Sequence, residues 1–224
     1  MENDIIAIVM AAGKGTRMKS KNSKLVQKIY GKEIVKRAVE NAEKAGVKDI
    51  VAVVGYKKEE VMKVLGDNIK YAFQDEMLGT GHAVMQAKEY LKGKKGKVLV
   101  LNGDVPLIRP ETLNKLIEKS IENKEYATLL TAIYDDPTGY GRIVRDEGGN
   151  IEGIVEEKDT TEEQKKITEI NAGIYCFDIE ALLEALEKIT PNNKQGEYYI
   201  TDVIQIMNNR GLKTGAVIVE DNTE

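Results

Sequence analysis

The 224-residue chain has no tryptophan, two phenylalanines, one histidine and one cysteine. With aromatics at 5% of residues, it lacks the stacking platforms of a single-strand nucleic-acid surface. Lys and Arg together number 33 against 37 for Asp and Glu, a formal charge of −4. That balance offers no basic excess for a nucleic-acid backbone, so any phosphate-binding residues must be local. A single histidine, His82, rules out metal clusters and triads that draw on a second imidazole, and it reads as structural or helix-starting rather than as a general base. A single cysteine rules out an intrachain disulfide, and Cys176, inside the apolar run 173–177, reads as a buried thiol on a strand. No apolar stretch approaches the ~18 residues of a membrane span. The run 5–12 is too short and follows the acidic Glu2 and Asp4 rather than a basic leader. A soluble protein of a reducing cytoplasm, with a small polar ligand and neither nucleic acid nor membrane as partner, is the expectation.

What is present is an alternation of β-rich apolar runs and amphipathic segments, the pattern of a mostly parallel sheet covered by helices. Strands are predicted at 5–10, 50–54, 69–73 and 98–101. Helices are predicted at 34–45 with Gly46 as stop, at 59–65 ended by Gly66, at 81–91, and from Pro110 to about Ile121. Right-handed crossovers put the loops 11–17, 74–80 and 102–104 at the carboxyl ends of these strands, where such sheets bind ligands. After the strand 127–133 the rhythm changes. Strands at 142–144, 151–155 and 172–177 with glycine turns read as a smaller mixed or antiparallel annex. The charged run 159–169 reads as a solvated helix or lid, and helix, helix, strand at 179–189, 202–209 and 213–219 close the chain. One domain is expected, with a nucleotide-binding half at 1–126 and a second half at 127–224.

The segment Met10, Ala11, Ala12, Gly13, Lys14, Gly15, Thr16, Arg17 directly follows a strand. Glycines there let backbone amides approach phosphates, and Lys14 and Arg17 add charge for a polyphosphate. The dinucleotide fingerprint fails because Met18 stands where its third glycine belongs, and no P-loop Gly-Lys-Ser/Thr follows at the required spacing; a plain glycine turn stays open. Lys24 can fold a point charge over the same phosphates, although alone it reads as a surface lysine. Gln74, with Gly79 and Thr80 after it, offers an amide that donates and accepts, which matches the edge of a pyrimidine. Asn102, Gly103 and Asp104 end the fourth strand, where a carboxylate can hold Mg2+ between phosphates. Gly141, Glu156 and Asn171, each at a strand end, can form a hydroxyl-reading pocket. The Tyr198, Tyr199 pair reads as packing.

Taken together, Ala-Ala-Gly-Lys-Gly-Thr-Arg-Met, Gln-x4-Gly-Thr-Gly-His-Ala, Gly-Asp-Val-Pro-Leu, Asp-Pro-Thr-Gly-Tyr-Gly-Arg-Ile, Glu-Ile-Asn-Ala-Gly and Gly-Glu-Tyr-Tyr-Ile-Thr-Asp resemble the uridyltransferase domain of the bacterial bifunctional enzyme that makes UDP-N-acetylglucosamine. The likeness runs over practically the whole chain, in order. It implies a Rossmann-like nucleotidyltransferase fold and the reaction of UTP with N-acetylglucosamine-1-phosphate to give UDP-N-acetylglucosamine and pyrophosphate, by Mg2+-assisted in-line attack without a covalent enzyme intermediate. By matching positions it implies nucleotide contacts from Met10, Ala11, Ala12, Gly13 and Lys24, and uracil contacts from Gln74, Gly79 and Thr80. Asn102, Gly103 and Asp104 would lie at the ribose and metal, with Asp104 the metal ligand. Gly141, Glu156 and Asn171 would read the amino sugar, and Arg17 would face the departing pyrophosphate. The attacking phosphate oxygen is already ionised near neutral pH, so no general base is needed. Charge neutralisation by Arg17, Lys24 and a metal on Asp104 would carry the chemistry.

Three departures from the family pattern stand out. Ser23 replaces the usual proline before Lys24, which predicts a less fixed loop. Asn102 replaces an aromatic residue. The sequence stops at Glu224, before the family's Val-Asn segment with its second metal ligand and before the β-helix acetyltransferase domain that builds a trimer. The expectation is UTP binding with weak turnover in this chain, and a trimer only where the β-helix is present. The competing readings are a thymidylyl-, cytidylyl- or adenylyltransferase acting on another sugar phosphate, and a non-catalytic nucleotide-sensing module.

Overall fold

The computed structural model describes residues 5–15 and 22–224. Its first strand, β1 (Ile5–Ala11), shows how the layers arise. Ile6 and Ile8 pack into one core cluster and Ala7, Val9 and Ala11 into another, because alternate side chains of a strand leave opposite faces. Both faces are covered, as the unbroken apolar sequence requires of a central parallel strand.

β1 is flanked by β4 (Asp49–Val54) and β6 (Lys97–Asn102), both parallel to it, and β5 (Lys70–Phe73) pairs in parallel with β4. Beyond β6 lie β10 (Glu169–Asp178), β7 (Ala127–Ile133) and β11 (Thr214–Ile218). β10 runs antiparallel to both of its neighbours, and β11 is parallel to β7. The order is therefore β5-β4-β1-β6-β10-β7-β11. β8 (Arg142–Arg145) and β9 (Ile151–Val155) hang from β10 as an antiparallel pair, so the annex extends the main sheet. A separate hairpin, β2 (Lys28–Ile29) and β3 (Lys32–Glu33), turns on Tyr30 and Gly31, at φ 48° and 79°. Positive φ at both central residues matches the right-handed twist of paired strands.

Helices α1 (Ile34–Lys44), α2 (Lys58–Leu65) and α5 (Pro110–Glu122) cover one face, and α3 (Thr80–Gln86), α4 (Lys88–Leu91), α6 (Ile179–Leu186) and α7 (Asp202–Asn209) the other. Gly66 ends α2 at φ 76°, and Pro110 opens α5. Two expectations change. The helix expected over 81–91 breaks at Ala87, whose N–H turns back to Val84 O, giving α3 and α4. The charged run 159–169 is not one helix: it carries short 3-10 turns at Glu157–Asp159 and Gln164–Lys166. Among the described residues no helix is long and apolar enough to cross a membrane.

This order positions a site. From β1 the chain moves outward through β4 to β5, then returns across the sheet to β6 on the other side of β1. The loops after β1, β5 and β6 thus all reach the carboxyl edge of the parallel strands, where a crevice opens between them.

Candidate active site

The crevice is a cleft of about 470 Å³ whose lining includes Met10, Ala12, Gly13, Lys24, Gln74, Gly79, Thr80, Asn102 and Asp104. Residues 70 or more positions apart in sequence meet here because β1, β5 and β6 all end at this edge of the sheet. The two central loops are tied together where Gly103 N donates to Met10 O at 2.9 Å. That bond uses the Gly103 amide, and Ala11 sends its methyl into the core, so neither is among the residues lining the cleft. Arg17 lies outside the described residues.

Lys24 begins a 3-10 turn, Lys24–Val26, beside the cleft. Its Nζ lies 2.8 Å from Asp104 Oδ2, and the two side chains are 35% and 38% exposed. A pair this open contributes little to stability, so its partners are free to exchange for substrate phosphate and metal. The loop carrying Lys24 is held despite the missing proline. Ser23 is buried, its Oγ accepts from Leu25 N at 3.3 Å, and its N–H donates to Glu60 Oε2 at 2.9 Å. Proline has no N–H to offer. Ser23 therefore replaces ring rigidity with a hydrogen bond to α2, which overturns the expected looseness. The Ser23 N–H also holds the Glu60 carboxyl below its usual pKa, with Lys57 acting in the same direction.

Gln74 continues from β5 through Gln74 N to Val54 O at 2.8 Å, and it is buried. Its Nε2 donates to Gly79 O at 3.0 Å. Gly79 holds φ 109°, and a Cβ there would stand 2.5 Å from Tyr198 O, so glycine is required by both backbone and space. Thr80 Oγ1 accepts from Ile200 N at 3.1 Å, and Gly81 N donates to Tyr198 O at 2.7 Å. The start of α3 is thereby locked onto segment 198–200.

Gly141, Glu156 and Asn171 come together beside this cleft without being among the residues that line it. A Cβ on Gly141 would be 3.5 Å from Glu156 Oε2 and 3.5 Å from Asn171 Cβ, and Asn171 N donates to Gly141 O at 2.9 Å. Asn171 is fixed at both ends of its amide: Nδ2 donates to Tyr175 OH at 2.7 Å and Oδ1 accepts from Gly173 N at 3.1 Å. Asn102 links this niche to the cleft, its Nδ2 lying 3.4 Å from Gly173 O. At the position of the expected aromatic residue, the side chain thus makes a polar bridge.

Glu156 Oε1 accepts from Thr201 Oγ1 at 3.0 Å. Burial raises the Glu156 pKa, the Thr201 hydrogen bond opposes this, and the charges of Asp202, Asp159 and Glu197 raise it further. Burial and the Asp159 charge push Asp202 up to about 6. Sequence reading missed Glu197, Thr201 and Asp202 as site neighbours. Glu197 lines the nucleotide cleft and its charge also reaches Glu156, so it connects the two subsites. The available signal was the run of polar residues Glu197, Thr201 and Asp202 interleaved with apolar Tyr199 and Ile200. Tyr199 has a polar role as well as packing: its hydroxyl accepts from Gln195 and donates to Asp159 Oδ2 at 3.3 Å. Cys176 is buried as expected, which raises its thiol pKa to about 11, and Tyr175 is also raised by burial.

Residues 6–223 match the nucleotidyl transferase family. The Bifunctional protein GlmU of Caldanaerobacter subterraneus subsp. tengcongensis is 53% identical over 217 residues, covering 97% of this chain and 47% of that protein. Its counterpart from Acetivibrio thermocellus is 50% identical over 220 residues, covering 98% and 48%. The chain spans about half the length of these curated relatives. Among solved structures, a putative glucose-1-phosphate thymidylyltransferase from Bacillus anthracis superposes with a TM-score of 0.81 at 21% identity, over 96% of this chain and 87% of that one. At that identity the likeness concerns the fold. With 218 of its residues matched, counted inclusively from 6 to 223, the chain belongs to the nucleotidyl transferase family.

Proposed function

We propose that the chain transfers the uridylyl group of UTP to N-acetylglucosamine-1-phosphate and releases pyrophosphate. One observation carries this reading: one crevice is lined by the glycine loop after β1, the Lys24–Asp104 pair and the buried Gln74 amide, and the Gly141, Glu156 and Asn171 cluster lies beside it. The likeness to proteins named Bifunctional protein GlmU, at 50–53% identity over 97–98% of this chain, favours this reading.

In this reading, Ala12 and Gly13 bring main chain against the triphosphate, and Gln74 with Gly79 and Thr80 holds the base. Gly141, Glu156 and Asn171 orient the amino sugar so that its phosphate oxygen faces the α-phosphate in line. That oxygen is ionised near neutral pH, so the step needs no general base. Lys24 leaves Asp104 and neutralises charge that develops on the phosphates, with Arg17 acting on the departing pyrophosphate.

A magnesium ion fits Asp104. This half-exposed carboxylate already holds a cation, the Lys24 ammonium, at 2.8 Å. Magnesium commonly takes one or two carboxylates and fills its remaining positions with phosphate oxygens and water. Among the described residues no group of three or more potential ligands assembles, so substrate phosphates would complete the site. When bound, the ion would be held by Asp104 and would offset the negative charge of the phosphates.

The test is product analysis with UTP, dTTP, CTP and ATP, each offered N-acetylglucosamine-1-phosphate and glucose-1-phosphate in the presence of Mg2+. Formation of UDP-N-acetylglucosamine in clear excess over every other product is expected. Preference for another base or for the unacetylated sugar would refute the reading.

A further inference from the structure

The only histidine of the chain is absorbed by neither the phosphate chemistry nor the sugar niche. It lies on α3, between the cleft-lining residues Thr80 and Ala83 in sequence and between two glutamine side chains in space. Gln74 Nε2 is 3.1 Å from His82 Nδ1, and Gln86 Nε2 is 3.1 Å from His82 Nε2.

The orientation of Gln74 follows from its other partner. Gly79 O is a carbonyl and can only accept, so the NH2 end of the amide must face it. The second proton of that NH2 group then points at His82 Nδ1, which must be the unprotonated ring nitrogen. The imidazole proton therefore sits on Nε2. On that side, Gln86 Nε2 is equally placed, 3.1 Å from the ring nitrogen and 3.1 Å from the His82 carbonyl, and a neutral ring accepts from only one of the two amides. Gln74 is buried and Gln86 half-buried, so Gln86 is the one whose amide can turn and let its Oε1 accept from the ring N–H.

Both donors of the Gln74 amide are thus consumed, one by Gly79 and one by His82. Only Oε1, which takes no hydrogen bond from any described residue, is left for a ligand. An amide that could in principle donate and accept has become an acceptor alone.

We infer that His82 is a positioning residue that fixes base selectivity by turning Gln74 into a pure hydrogen-bond acceptor facing the nucleotide. This rests on the proposed use of UTP. Uracil presents a ring N–H that such an acceptor can take. Cytosine presents a lone pair at the same ring nitrogen, which the Gln74 oxygen repels. Leaving a buried polar atom opposed costs more than a hydrogen bond gains, so a single fixed acceptor discriminates strongly. His82 makes no contact with the reacting phosphates in this account.

The experiment compares wild type, His82→Phe, His82→Asn and Gln74→Ala in the full chain, reading kcat/KM for UTP and for CTP and KM for N-acetylglucosamine-1-phosphate. Phenylalanine fills the ring volume without an acceptor, whereas asparagine restores one near Nδ1. The UTP-over-CTP ratio should fall about tenfold in His82→Phe, the worth of one neutral hydrogen bond. It should stay near wild type in His82→Asn, with the sugar-phosphate KM unchanged in both. A merely structural histidine would lower both triphosphates together and leave the ratio intact, which would overturn the inference. A wild type with no preference for UTP would instead overturn the proposed function itself. Because His82 is the only histidine, a nitrogen-15 spectrum of the ring gives a second readout that needs no activity. A proton on Nε2 at neutral pH is expected, and a dominant Nδ1-protonated form would overturn the inference.

Discussion

Replacing Asp202 with asparagine should stabilise this protein by an amount that grows as pH rises above about 3.8 and is complete above about 6. Asp202 opens α7 beside Glu156, and burial with the Asp159 charge raises its pKa from 3.8 to about 6. A shift of this size corresponds to at most about 3 kcal/mol between protonated and ionised forms. Asp202 is only half-buried and stands at a helix start that favours its charge, so about 1 kcal/mol is the sounder figure after solvent screening. The folded state holds this proton more tightly than the unfolded state does. The stability it contributes is complete below about pH 3.8 and lost as pH rises through about 6. Asparagine imitates the protonated form at every pH. Thermal melts of wild type and Asp202→Asn should therefore coincide near pH 4 and separate by about 2–4 °C at pH 8, with the variant higher. A gap that is the same at both pH values, or a less stable variant at pH 8, would refute the reasoning. The physical point is that Glu156, Asp159, Glu197 and Asp202 crowd the niche proposed for the sugar with like charge, which costs stability.

Other perturbations follow from the same geometry. Glu60→Ala removes the acceptor for the Ser23 N–H. It should raise KM for UTP about fivefold, within the worth of one hydrogen bond, while the sugar-phosphate KM holds, as steady-state kinetics would show. Arg142 is buried, pairs with Glu157 at 2.8 Å and donates to Tyr140 O. Its partners adjoin Glu156 and Gly141. Arg142→Met should therefore raise the sugar-phosphate KM more than the UTP KM and cost about 3 kcal/mol in denaturant unfolding. Arg142→Met with Glu157→Gln should recover part of that loss, measured by a double-mutant cycle.

The sequence made most of the element boundaries legible, because glycines and proline punctuate clear periodicities: Gly46, Gly66 and Pro110 stand at helix ends as read. It did not reveal that β10 inserts antiparallel between β6 and β7, since periodicity reports burial and says nothing of which strands pair. The break at Ala87 carries no proline or glycine to mark it in the sequence, and shows only in the turn bond from Ala87 N to Val84 O. At the site, residues on the strand-end loops were legible because their position follows from the βα alternation. Glu197, Thr201 and Asp202 were not, because segment 197–202 reaches the cleft through backbone bonds to Leu78, Thr80 and Gly81 that only the folded chain creates. Ser23 was misread for a related reason: its loss of ring rigidity is visible in sequence, and its partner Glu60 on α2 is not. His82 reads in the sequence as structural rather than as a general base, and its contact with Gln74 depends on how β5 and α3 meet in the fold.

The most direct test of the account is pyrophosphate release from UTP and N-acetylglucosamine-1-phosphate with Mg2+, comparing the chain with Asp104→Ala. Asp104 is the one carboxylate lining the crevice that is paired with Lys24, and it is exposed enough to exchange that partner for metal and phosphate. Release by the unaltered chain that falls at least ~100-fold in the variant, while the folded stability stays within about 0.5 kcal/mol, is the predicted result. Release at an undiminished rate from Asp104→Ala would contradict the claim that this crevice is the catalytic centre.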